Sequence, residues 1–187
     1  MNRIKSILVK IINLLRYILL TIFYYPVFII FFHNNIWRIY RSYSATPRIW
    51  KKIIWNRYME KHAASISIDA KIKSPLILPH GVSGIFITKS AVIGSNVVIF
   101  QQVTIGANTI EGSKSYGAPV VGDNVYIGAG AKIIGGIQIA NNCRVGANAV
   151  VVEDIPYNSI VVLDKPRVII REQPIDNTFN PYLKKQE

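Results

Sequence analysis

From Ile87 onward the chain repeats every six residues, and this period restricts its fold more than any other feature. Aliphatic side chains fall at Ile87, Ile93, Ile99 and Ile105. The register then resumes at Val121, Ile127, Ile133, Ile139, Val145 and Val151. A second set follows four positions later, at Ala91, Val97 and Val103, then Val125, Ala131, Ile137, Cys143, Ala149 and Ile155. Neither a helix of 3.6 residues per turn nor a strand with two-residue alternation produces this spacing. A triangular coil does, with each short flat strand and its turn forming one side. The branched residue points into the prism and the small one sits near a corner. Gly94, Gly106, Gly122, Gly128 and Gly146, with Asn96, Asn124, Asn142 and Asn148, suit corners that need a left-handed backbone. The expected fold is all-β, a left-handed parallel β-helix over 63–170.

Ile68, Ile72 and Val82 place the start of the coil near Ile66, in less regular turns. Ile105 to Val121 is not a multiple of six, so a polar loop over Ala107–Pro119 leaves the coil and returns. Cys143 falls at a small inward position and reads as a buried hydrophobe rather than a reactive thiol. A single cysteine also excludes an internal disulfide and a cysteine-based metal site.

The first 62 residues differ in kind. They hold 11 Lys and Arg against one acidic residue, Glu60, a net of +10 out of the chain's +12. Residues 17–32 carry no charge, but a spanning helix needs roughly 20 apolar residues and Pro26 would kink one. Basic residues flank this run on both sides, so a single pass would place one flank on the wrong side. No small-residue cleavage site follows the run. The expectation is a membrane-associating segment over 1–62, lying on or dipping into the cytoplasmic face. Its aromatic and basic residues 36–62 would then meet headgroups. The alternative is an amphipathic helix packed on the main domain. Residues 171–187 read as a tail. Because the basicity belongs to this segment alone, no nucleic-acid partner is expected.

Function on a flat-faced prism should reside where the repeat breaks. Of three histidines, His33 and His62 end the apolar run and the basic segment. His80 instead lies in the Gly/Pro break Leu78-Pro79-His80-Gly81-Val82-Ser83-Gly84. A neutral imidazole there suits proton abstraction from an alcohol, and a solvated loop histidine is the alternative.

The runs LPHGVSGIFITKSAVIGSNVVIFQQVTIG, GAPVVGDNVYIGAGAKIIGG and VGANAVVVEDIP resemble the hexapeptide-repeat acyltransferases. The nearest branch is similar to serine acetyltransferases and polysaccharide O-acetyltransferases. The resemblance spans roughly 64–170. It implies acetyl-CoA as co-substrate, no metal, a homotrimer, and His80 as catalytic base. It also implies CoA contacts at Gly106, Ala107, Ala129 and Ala147, where small residues let the pantetheine arm approach the backbone. Lys165 and Arg167 are implied at the CoA phosphates.

Departures from that branch bear on the acceptor. Pro79 stands where serine acetyltransferases have Asp. Ser65-Ile66-Ser67-Ile68 replaces Asp-Ile-His-Pro, and Tyr116-Gly117-Ala118-Pro119 replaces Asp-Arg-His-Pro. Without that Arg, a free serine carboxylate loses a bidentate partner. The closing Gly-x-Pro-Ala is also altered, to Asp164-Lys165-Pro166-Arg167. The expectation is therefore an O-acetyltransferase acting on a sugar hydroxyl of a surface-polysaccharide or lipid-linked glycan. Serine or another small alcohol is the first alternative, and a non-enzymatic scaffold the second.

Overall fold

The structure, a computed structural model, describes residues 6–15, 18, 19, 22, 35–164, 168, 170 and 173. Two helices come first in the continuous part, α1 (Ile36–Ala45) and α2 (Ile49–Lys61). Thirteen strands follow, almost all of two residues, from β1 (Ser65–Ile66) to β13 (Ile160–Val161). They form three sheets in which every pairing is parallel. The first sheet stacks β1, β3 (Phe86–Ile87), β6 (Thr104–Gly106), β9 (Lys132–Ile134) and β12 (Val150–Val151); the second stacks β10 (Gln138–Ile139), β7 (Val120–Val121), β4 (Val92–Ile93) and β2 (Lys71–Ile72); the third stacks β13, β11 (Arg144–Val145), β8 (Tyr126–Ile127) and β5 (Val98–Ile99). Consecutive strands thus step from one sheet to the next, and each circuit pairs with the circuit below. This is the left-handed parallel β-helix expected from the period.

Each strand alternates outward and inward, and the inward residue is the periodic one. Ile99, Ile105, Ile127, Ile133, Ile139 and Val145 have no exposed surface. The second set is also enclosed, including Ala91, Val97, Val103, Ala131 and Cys143. Each fully buried aliphatic side chain contributes about 1.5–3 kcal/mol, which lets a fold built from two-residue strands hold together.

Register reveals where the coil is interrupted. Ile87 pairs with Ile105, 18 positions on, one full circuit. Ile66 pairs with Ile87, 21 positions on, so three extra residues enter at the corner between the third and first sheets. Ile93 pairs with Val121, 28 positions on, so ten extra residues enter at the corner between the first and second. These insertions are the break around His80 and the 107–119 loop.

Helices α1 and α2 close the lower end of the prism. Ile36, Ile39, Tyr40, Ile54, Trp55 and Met59 are buried in one continuous core with the coils. The Tyr40 hydroxyl donates to Ala70 O at 2.7 Å and accepts from Ile72 N–H at 2.8 Å, while Trp55 Nε1–H donates to Ile66 O. Lys51 is buried, and its ammonium donates to Ser42 O, Thr46 O and Thr46 Oγ1, closing the end of α1. The packing boundary therefore does not follow the charge boundary at residue 62. These buried positions of 36–61 pack on the coil, as in the alternative raised for this segment. Among the described residues no helix is long and apolar enough to cross a membrane.

Asp69 fastens this cap from outside, accepting from the Tyr43 hydroxyl at 2.8 Å and from Lys52 Nζ. The Lys52 hydrogen bond, then that of Tyr43, holds its carboxyl below the ordinary range. Such a carboxyl stabilises the fold above its unfolded pKa, near 3.8, and loses this contribution as pH falls through the lower folded value. An ion pair this exposed is worth about 1 kcal/mol or less. Asp69→Asn should therefore melt slightly below wild type at pH 7 and lose less of its midpoint on acidification below about pH 4. Identical melting profiles across that range would show that the clip contributes nothing.

Candidate active site

His80 lies on the insertion between the third and first sheets. Gly81 and Gly84 turn the chain there with φ of 70° and 66°, a left-handed backbone that side chains other than Asn rarely adopt. A Cβ at Gly84 would also stand 3.1 Å from Gln102 Cγ. The turn is held from both sides, because Gly84 N–H donates to Ala63 O and Gln102 N–H donates to Ser83 O. The imidazole is exposed, with Nδ1 2.7 Å from Gln101 Oε1. An amide oxygen can only accept, so this contact requires the proton on Nδ1 and leaves the Nε2 lone pair free. That is the tautomer a general base needs. The group against the imidazole Nδ1 is thus the Gln101 side-chain amide.

An aromatic column rises from the histidine along the outer face of the third sheet. His80 meets Phe100 edge to face at 5.3 Å, Phe100 meets Tyr126 at 5.2 Å, and Arg144 lies 5.6 Å over the Tyr126 ring. Beside it runs a groove of about 400 Å³, lined by Val98, Tyr126, Arg144 and Ile160 with Asn96, Asn124, Asn142 and Asn158. Sequence reasoning passed over Gln101, Phe100 and Tyr126. The available signal was the pair Gln101-Gln102, occupying a corner that elsewhere holds Gly or Asn. Gln102 itself takes φ 62°.

The residues implied for CoA divide between two edges. Ala129 and Ala147 stack on the His80 edge, in a column of turns where Gly130 N–H donates to Gln101 O and Asn148 N–H donates to Ala129 O. Gly106 and Ala107 lie at the opposite margin of the first sheet, where the 107–119 loop departs. One chain therefore does not bring all four together. The loop closes through paired backbone hydrogen bonds between Asn108 and Gly117, and Ser115 O accepts from Gly136 N–H. It rests on Gly135 and Gly136, where a Cβ would collide with Ser115 O and Tyr116 O respectively. Ile110 at its tip is exposed. Lys165, Arg167 and His33 lie outside the described residues. His62 is occupied structurally, stacked on Tyr58 with Nδ1 2.7 Å from Tyr58 O. No group of His, Cys, Asp or Glu among the described residues forms a metal cluster.

Comparison with known proteins agrees with the repeat and the fold. Residues 118–152 match the family described as bacterial transferase hexapeptide (six repeats). Over these residues the chain is similar to the hexapeptide-repeat acyltransferases, with serine acetyltransferases among its relatives. A serine acetyltransferase of Staphylococcus aureus is 34% identical over 137 residues, covering 65% of this chain and 63% of that protein. One from Mycobacterium tuberculosis is 41% identical over 105 residues, covering 56% and 44%. The crystal structure of Entamoeba histolytica serine acetyltransferase isoform 3 in complex with cysteine superposes with a TM-score of 0.62. It shows 31% identity and covers 73% of this chain and 50% of its own. The Neisseria gonorrhoeae serine acetyltransferase in complex with serine gives 0.57 at 35% identity, covering 68% and 52%. The chain thus spans less than two thirds of these relatives.

If Gln101 orients His80, Gln101→Leu should lower kcat roughly fivefold, the cost of one neutral hydrogen bond of about 1 kcal/mol. The KM for acetyl-CoA should stay unchanged. Gln101→Glu, which keeps an acceptor for Nδ1–H, should restore turnover. A Gln101→Leu variant with wild-type kcat in steady-state kinetics would remove the orienting role.

Proposed function

We propose that this chain is an acetyl-CoA-dependent O-acetyltransferase. The observation that carries the reading is an exposed His80 whose Nδ1 lies 2.7 Å from Gln101 Oε1, on an edge whose small residues Ala129 and Ala147 leave room for a thioester arm. His80 Nε2 takes the proton of an acceptor hydroxyl while the oxygen attacks the acetyl carbonyl of the thioester. The tetrahedral adduct collapses, the carbon–sulfur bond breaks, and the departing thiolate takes the proton from His80. The products are an acetyl ester and CoA. No enzyme-bound acyl group is needed, and Cys143 is buried away from the edge.

The relatives favour serine, or a similar small alcohol, as acceptor. All those compared are named serine acetyltransferases, and none is named for a sugar acceptor. The glycan hydroxyl is the second reading. Its support is the loop sequence Tyr116-Gly117-Ala118-Pro119, which lacks a guanidinium for a serine carboxylate. The Gly106 and Ala107 edge would contribute a backbone oxyanion donor and CoA contacts only if a second copy presents it to His80, which supports a cyclic homotrimer.

His80→Ala should lower turnover about 100- to 10,000-fold while leaving the melting midpoint nearly unchanged, because an exposed loop histidine carries little packing. His62→Ala should keep wild-type turnover. The measurement is thiol release from acetyl-CoA with serine and, separately, with glycan acceptors, alongside a melting curve. A folded His80→Ala protein that keeps most of its transfer would overturn the mechanism. The acceptor that raises thiol release above the acceptor-free rate decides between the two readings.

A further inference from the structure

Residues 6–15 form a helix in which every residue is exposed. Seven of the ten are aliphatic: Ile7, Leu8, Val9, Ile11, Ile12, Leu14 and Leu15, each between 45% and 57% exposed. Ser6, Lys10 and Asn13, at i, i+4 and i+7, form one polar stripe, so the helix is amphipathic with a broad apolar face that it buries nowhere within the chain. On α1, Ile36, Ile39 and Tyr40 face the core while Arg38 and Arg41, three positions apart, are exposed on the opposite side. Arg48, just before α2, is exposed as well, and Ile49 beside it is 73% exposed. The same end of the chain carries +10 of the total +12.

We propose that the helical cap is a docking surface for an anionic lipid bilayer. The 6–15 helix would enter the headgroup and acyl boundary, with Arg38, Arg41 and Arg48 on the lipid phosphates. Charge complementarity selects this occupant. A second copy of the chain would bring an equal positive charge to the same place, whereas anionic headgroups neutralise it. The chain end thereby anchored is the one nearest the proposed chemistry, since the His80 break is tied to Ala63, two residues past α2, by Gly84 N–H donating to Ala63 O. The docking stands on charge and exposure and does not depend on the transferase reading.

The test is flotation of the full-length protein with phosphatidylcholine vesicles and with mixed phosphatidylcholine–phosphatidylglycerol vesicles. Wild type should float with the mixed vesicles and more weakly with phosphatidylcholine. Each cation at an anionic surface multiplies affinity roughly fivefold. Arg38→Gln/Arg41→Gln/Arg48→Gln should therefore bind mixed vesicles on the order of a hundredfold more weakly, with little change on phosphatidylcholine. Leu8→Ser/Ile11→Ser/Leu15→Ser should lose the binding that survives high salt. A melting curve checks each variant, and because both sets of side chains are exposed the fold should persist. Wild type that floats with neither vesicle, or arginine variants that bind both like wild type, would overturn the proposal. His80→Ala should float like wild type, and wild-type protein that floats but transfers no acetyl group would sink the transferase reading while upholding the docking.

Discussion

Each circuit of this prism must turn corners at which the backbone enters the left-handed region, and the residues able to do so decide everything else. Asn96, Asn124, Asn142 and Asn158 take φ between 55° and 61° along one edge, the one between the second and third sheets. That edge is regular from circuit to circuit. The other two edges are where the chain departs from six. One admits three extra residues and carries His80, and the other admits ten and carries the loop on Gly135 and Gly136. The uniform edge keeps the coils in register, so the irregular edges are free to hold chemistry.

Much of this was readable from residue spacing because the repeat is nearly one-dimensional. Ile87 to Ile105 and Val121 to Val151 occupy the inward positions the period assigned to them. The Gly/Pro break drew attention to His80 and the family resemblance implied its role; both glycines of that break do take positive φ. Its partner was not legible. Gln101 lies 21 positions downstream and meets His80 only because one circuit with its insertion has that length. Nor was the separation of Gly106 and Ala107 from Ala129 and Ala147, since the period gives the side of the prism only once the circuit is counted through both insertions. Residues 36–61 were misleading for a different reason. Interleaved Trp, Tyr, Ile, Arg and Lys suit a headgroup layer and a helical cap equally. Only the burial of Ile39 and Trp55 assigns their apolar side to the core.

The orienting group also sets how this site differs from an acid–base dyad. A carboxylate behind the imidazole would stabilise the imidazolium formed during proton transfer. An amide oxygen fixes the tautomer but offers only a dipole. The edge-to-face contact with Phe100 restrains the ring on its other flank. The His80 ring is thus held by two uncharged side chains, Gln101 and Phe100.

The asparagine edge has a directional consequence. Asn96 Nδ2 donates to Asn124 Oδ1 at 2.8 Å, Asn124 to Asn142 at 2.8 Å, and Asn142 to Asn158 at 3.1 Å. All three bonds point the same way, so the four amides form a polar wire parallel to the prism axis, each link polarising the next. Such a wire has ends of opposite character, with acceptor oxygen at Asn96 and donor hydrogens at Asn158. The prism is thus vectorial along its surface as well as its backbone, and any circuit stacked beyond Asn158 would meet a ready donor.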